Sequence, residues 1–90
     1  MNRINVKPTV KFLKALGDET RLKIVLLLEE GEMCACKIPK LVGKAQPTVS
    51  KHLRILDEAG ITTHRKVGKN RIYRINNKKI LKLVNVIAVD

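Results

Sequence analysis

Ninety residues carrying 19 Lys+Arg against 8 Asp+Glu, a formal charge of +11, describe one small and strongly basic domain. Such an excess points to a polyanionic partner, nucleic acid before a membrane surface, although solubility alone also produces basic surfaces. The longest apolar run, Ile24 to Leu28, is far too short to span a bilayer, and no apolar segment near Met1 reads as a signal peptide, so a cytoplasmic location is expected.

Met1 to Lys7 is polar with scattered apolar residues and is expected to fray. Pro8 opens a first helix running to about Leu16, with Val10, Leu13 and Leu16 in one stripe widened by Phe12. Asp18 is a suitable N-cap for a second helix over Glu19–Glu30, and Glu19 adds negative charge at its positive end. Leu22, Ile24, Val25, Leu26, Leu27 and Leu28 leave that helix little polar face, which makes it the central strut of the core. Glu32 to Cys36 is ambiguous. A short third helix follows over Cys36–Val42, and Gly43, Lys44 and Ala45 form a turn.

Ala45 to Gly60 reads as a helix of about four turns, joined to the third helix in a helix-turn-helix. Val49, Leu53 and Leu56 fall at i, i+4 and i+7 and make its apolar stripe, while Gln46, Pro47, Ser50, Lys51 and Arg54 point the other way. Pro47 is tolerated in the first turn, and Gly60 stops the helix. Ala45 caps poorly, so Gln46 or a water is expected to serve the first N–H groups. Short polar groups at one end, with Lys and Arg along the outer face, suit entry into a DNA major groove. A solvated surface helix would carry the same pattern. Between Lys37 and Arg74 lie ten basic and two acidic residues, so +8 of the +11 is concentrated there.

Beyond Gly60 the period becomes two. Ile61–Lys66 and Arg71–Ile75 alternate around a Val67-Gly68-Lys69-Asn70 turn, a two-stranded hairpin with a basic tip in which Asn70 makes the turn. Asn76 or Asn77 caps a last helix over residues 77–89 whose apolar residues cover nearly its whole circumference. A monomer this small cannot bury all of that surface, so a homodimer is expected, with the first helix (8–16) and the last at the seam.

Three stretches together resemble the ArsR/SmtB family of winged-helix repressors. LGDETRLKIVLLL is similar to its second-helix signature, AQPTVSKHLRILDEAGI to its recognition helix and THRKVGKNRIYRI to its wing. The resemblance spans Phe12 to Asn76 and implies a mainly α, dimeric winged helix-turn-helix repressor, one domain over residues 1–90 with the recognition helix at 45–60 and the wing at 61–75. It implies DNA contacts from Gln46, Thr48, Ser50, Lys51, His52, Arg65, Lys69 and Arg71, to which the helical wheel adds Arg54. His52 lies towards the apolar edge and is as well suited to packing as to DNA. Two recognition helices would sit about 34 Å apart on a pseudo-palindromic operator in double-stranded DNA.

Glu32-Met33-Cys34-Ala35-Cys36 resembles the family's metal box. Two thiolates favour soft ions: As(III), Sb(III), Cd(II), Pb(II), Zn(II) or Cu(I). In a helix residues i and i+2 diverge by about 200°, so joint chelation by Cys34 and Cys36 needs non-helical backbone. In a cytosolic setting the pair is expected as reduced thiols, and its spacing is poorly suited to a bridge. Lys37 stands where the box has an acid, a third ligand must come from His64, Glu32, the partner subunit or solvent, and Lys78–Asp90 lacks the ligands of the family's other common metal site. Redox sensing and simple packing remain open readings of the cysteines. The same fold without an inducer, and an architectural protein binding DNA without sequence preference, remain open for the whole chain. No catalytic constellation or phosphate loop is present, so no enzyme activity is expected.

Overall fold

The computed structural model describes residues 4–88. Helix α1 spans Val6–Leu16 and begins two residues before the expected Pro8. Pro8 falls within the first turn, where its missing N–H leaves no helical bond unmade. Of the segment expected to fray, residues 1–3 lie outside the described residues, whereas Val6 and Lys7 are helical. The helix has two apolar faces. Phe12, Ala15 and Leu16 pack on the core, while Val6, Val10 and Leu13, at i, i+4 and i+7, are exposed.

Helix α2 covers Glu19–Glu29, started by Asp18, whose Oδ2 accepts the Arg21 backbone N–H at 3.0 Å. Ile24, Val25 and Leu28 are buried and make it the core strut, though Leu26 stays open to solvent. The ambiguous stretch that follows holds a short strand, β1 (Met33–Cys34), and a 3₁₀ turn over Ala35–Lys37. Helix α3 is therefore only Ile38–Val42, and Cys36 lies in the turn before it rather than in the helix as expected.

Helix α4 covers Gln46–Glu58 and buries Val49, Leu53 and Leu56, the expected stripe. It ends where Gly60 N–H reaches the Asp57 carbonyl and Ile61 N–H the Leu56 carbonyl, both at 3.0 Å. Gly60 takes φ +76°, a left-handed conformation that favours glycine.

Strands β2 (Thr62–Val67) and β3 (Asn70–Ile75) form the hairpin. Val67 pairs with Asn70, so Gly68 and Lys69 make the turn and Asn70 is already strand. The sheet has three strands, in the order β1-β3-β2, where two were expected. Met33 pairs with Tyr73 and Cys34 with Ile72, both antiparallel. A two-residue strand carries no periodicity to read, and its partner lies far along the chain.

Helix α5 spans Lys79–Ile87. Asn77 Oδ1 accepts the Lys79 N–H at 2.9 Å, while Asn76 turns away and donates to the Gly60 carbonyl at 3.2 Å. Val89, the expected end of this helix, and Asp90 lie outside the described residues. Ile80 and Val84 join the core, and Val86 and Ile87 stand out at 81% and 65% exposure. The core is one cluster centred on Ile24, Val25, Leu53, Leu56 and Ile61.

Candidate nucleic-acid interface

With its apolar stripe buried, α4 presents Gln46, Thr48, Ser50, Lys51 and Arg54 to solvent. Ala45 supplies no side-chain cap, and Gln46 does not replace it, because its Nε2–H donates to Ser50 Oγ at 3.4 Å. Ser50, Lys51 and Arg54 share an open groove of about 540 Å³ with His64, Arg71 and Tyr73 of the hairpin. The structure thus brings helix and wing residues, separate in sequence, onto one basic surface.

His52 is placed differently. It is half-buried, and Arg21 Nη1 lies 3.0 Å from its Nδ1. Arginine can only donate, so this Nδ1 accepts and the ring carries its proton on Nε2. Arg21 also donates from Nε to the Ala15 carbonyl at 2.7 Å and from Nη2 to the Lys14 carbonyl at 3.3 Å. One guanidinium thereby satisfies the end of α1 and holds α4 against it. Asp18 lies 3.9 Å from the same imidazole. Its carboxyl is held below the ordinary range, first by the Arg21 N–H and further by the Arg21 charge, against an opposing effect of burial. The sequence reading did not single out Arg21, since a lone arginine in an apolar helix carries no local sign that it meets His52, 31 residues on, and the end of the preceding helix.

At the other end of α4, Asp57 fixes the wing. Its Oδ1 accepts from Thr62 Oγ1 at 2.6 Å and its Oδ2 from His64 Nδ1 at 2.6 Å. The His64 ring also rests against Tyr73, centroids 4.8 Å apart. Thr62, His64 and Lys66 alternate onto one face of β2, and the register puts His64 opposite Tyr73 and Lys66 opposite Arg71. Arg65 alternates onto the other face. There its Nη1 and Nη2 donate to Glu32 Oε2 and Oε1 at 2.6 and 2.8 Å. The Arg65 guanidinium holds the Glu32 carboxyl below its usual range, and Glu32 raises Arg65 in turn.

Two side chains expected as possible third metal ligands are thus engaged elsewhere, Glu32 with Arg65 and His64 with Asp57. Among the described residues no group of three or more His, Cys, Asp or Glu converges on one point. Cys34 and Cys36 do converge: their Sγ atoms are joined, with Cα atoms 5.2 Å apart. This corrects the expectation of two separate thiols. Cys34 has extended backbone (φ −63°, ψ 135°) and Cys36 lies in the 3₁₀ turn, so the divergence that a helix would impose does not arise. The Cys36 N–H also points at Cys34 Sγ, at 3.3 Å. Both cysteines line a groove of about 240 Å³ whose other walls include Gln46, Lys69 and Arg71.

A buried strut, a helix-turn-helix and a three-stranded wing with a shared basic face define a winged helix-turn-helix DNA-binding domain. The model of the family described as bacterial regulatory protein, arsR family, matches residues 18–63. The chain is 49% identical over 79 residues to an uncharacterized HTH-type transcriptional regulator of Methanocaldococcus jannaschii, a match covering 83% of this chain and 89% of that one. It is 46% identical over 68 residues to the arsenical resistance operon repressor of Escherichia coli, covering 74% of this chain but only 58% of the repressor's length. The fold matches the solution structure of a homodimeric winged helix-turn-helix domain from Mycobacterium bovis, a possible ArsR-family regulator, with a TM-score of 0.84, 28% identity and coverage of 91% of this chain and 76% of that one. The chain belongs to the arsR family of bacterial regulatory proteins, DNA-binding regulators of transcription. Among the described residues no helix is long and apolar enough to cross a membrane.

Proposed function

We propose that this chain is a homodimeric repressor that leaves its operator when a soft metal or metalloid ion binds Cys34 and Cys36. The observation that carries this reading is the groove in which the two cysteines share walls with Gln46 at the start of α4 and with Lys69 and Arg71 of the wing. An ion held there would sit against the DNA-reading groups themselves. The donor pair fits a thiophilic ion, because both sulfurs already point to one place. Reduced, they supply two thiolate bonds; a third comes from solvent or from the partner subunit, since Glu32 and His64 are occupied. The name of the E. coli relative, an arsenical resistance repressor, supports As(III) as the first ion to try.

In this reading Gln46, Thr48 and Ser50 meet base edges, and Lys51, Arg54, Lys69 and Arg71 meet phosphates. The exposed apolar faces of α1 and α5 form the dimer seam, which sets two recognition helices about one DNA turn apart. The test begins with a duplex selected by the reduced protein from a randomised DNA pool. Its fluorescence anisotropy is then followed while arsenite, Cd(II), Zn(II) or Cu(I) is added. Release by one ion from the wild type, but not from Cys34→Ser/Cys36→Ser, is the expected result. Release from neither protein would move the switch away from the cysteines. Failure to enrich any sequence would favour a DNA-binding protein without an operator.

A further inference from the structure

Arg65 belongs to the wing, but the structure sets it, with Arg74, beside Glu32, apart from Lys66 and Arg71 on the other face. Alternation along β2 separates it from Lys66. Lys66 shares its face with His64 and lies directly opposite Arg71, which lines the groove beside α4. Arg65 faces away from that groove. Both arms of its guanidinium are taken by the Glu32 carboxylate, at 2.6 and 2.8 Å, in the two-pronged geometry that gives such pairs directional hold. The pair also spans the sheet. Glu32 directly precedes β1 at one edge, Arg65 lies on β2 at the other, and β3 runs between them. The backbone ladder of β1 covers only Met33 and Cys34, so few main-chain bonds tie this edge to the wing. A side-chain clasp over the top adds a second tie.

We propose that Arg65 is a positioning residue, clasped by Glu32 across the sheet to set the angle of the wing, and that Lys66 on the opposite face makes the phosphate contact from β2. This rests on the DNA-binding reading above and refines which wing residues carry it. Glu32 lies two residues before Cys34, so the same clasp joins the cysteine segment to the wing.

The experiment uses the full chain and a random-sequence duplex of about 30 base pairs, long enough for phosphate contacts without a known operator. Affinity is measured against salt for each protein, with circular dichroism to confirm folding. Lys66→Ala is expected to weaken binding and to flatten the salt dependence by about 0.9 in log–log slope for each phosphate that the variant leaves unneutralised. Arg65→Glu is expected to weaken binding tenfold or more. The exchanged pair Glu32→Arg/Arg65→Glu rebuilds the clasp with its charges reversed and is expected to return affinity to within about threefold of wild type. A direct DNA contact cannot be rescued in this way, because the glutamate at position 65 would still face phosphate.

An exchanged pair that binds as weakly as Arg65→Glu overturns the proposal, as does a Lys66→Ala slope equal to wild type. An Arg65→Glu variant that binds like wild type overturns the positioning role. Should Arg65→Glu fail to fold, Glu32→Gln serves in its place. It is expected to weaken binding severalfold with the slope unchanged, and a rise in both affinity and slope would show that the freed Arg65 takes a phosphate. Wild-type protein that does not bind duplex at all would instead defeat the DNA-binding reading, so the two failures are distinct.

Discussion

Single side chains on this surface divide into those that read DNA and those that hold the readers in place. Ser50 and Gln46 are short, exposed and at the leading end of α4, so Ser50→Ala or Gln46→Ala should lower preference for the selected sequence over random duplex; an intact preference in both would displace the recognition face. Lys69 at the wing turn should act without regard to sequence, and Lys69→Ala is expected to weaken all duplexes and reduce the salt slope by about one. Arg21 touches no DNA-facing groove but donates to two carbonyls at the end of α1 and to His52. Arg21→Ala should cost about 1–3 kcal/mol in chemical denaturation, because the part-buried acceptors on Ala15 and His52 are left without a charged donor. Asp18 gives the domain an acid-sensitive start to α2. Its folded pKa lies below the ordinary 3.8, so its contribution is complete above that value and is lost as pH falls through the lower folded pKa. The melting-temperature gap between wild type and Asp18→Ala should therefore be steady at neutral pH and close in strong acid.

At the scale of elements, α4 is held at both ends by contacts that also aim it. Arg21 and His52 fix its first half against α1 and α2, and Asp57 fixes its last turn to β2. The wing should accordingly loosen in Asp57→Ala, which frees Thr62 and His64 together. Faster hydrogen exchange confined to β2 and β3, with α2 unchanged, is the expected pattern. The junction itself depends on Gly60. A Cβ added there would meet nothing within 4 Å, so the cost of Gly60→Ala lies in the backbone alone, at φ +76°. That cost should be about 1–2 kcal/mol, visible as a lower unfolding midpoint. The buried stripe of α4 and its stop at Gly60 were legible from spacing, because a helix repeats its geometry every few residues. Strand β1 was not legible, because two residues show no repeat and the pairing with Ile72 and Tyr73 is made at long range.

Among the described residues, α1 leaves Val6, Val10 and Leu13 uncovered, and α5 leaves Leu83, Val86 and Ile87 uncovered. Exposed apolar area of this kind marks an interface, and a second copy is the partner proposed for it. Sedimentation at micromolar concentration should show a dimer, with Leu13→Asp/Val86→Asp monomeric and poor at binding two half-sites; a folded wild-type monomer would refute the seam. The sequence by itself determined the order of helices, the helix-turn-helix, the basic hairpin and the outward residues of α4, since each rests on local periodicity, caps or turn residues. Only the tertiary structure decided which cations share the face of α4. It set Arg65 against Glu32, tied Arg21 to His52, and brought the cysteines beside Gln46 and the wing turn. Those are meetings of residues far apart in the chain, and spacing along a sequence carries no measure of them.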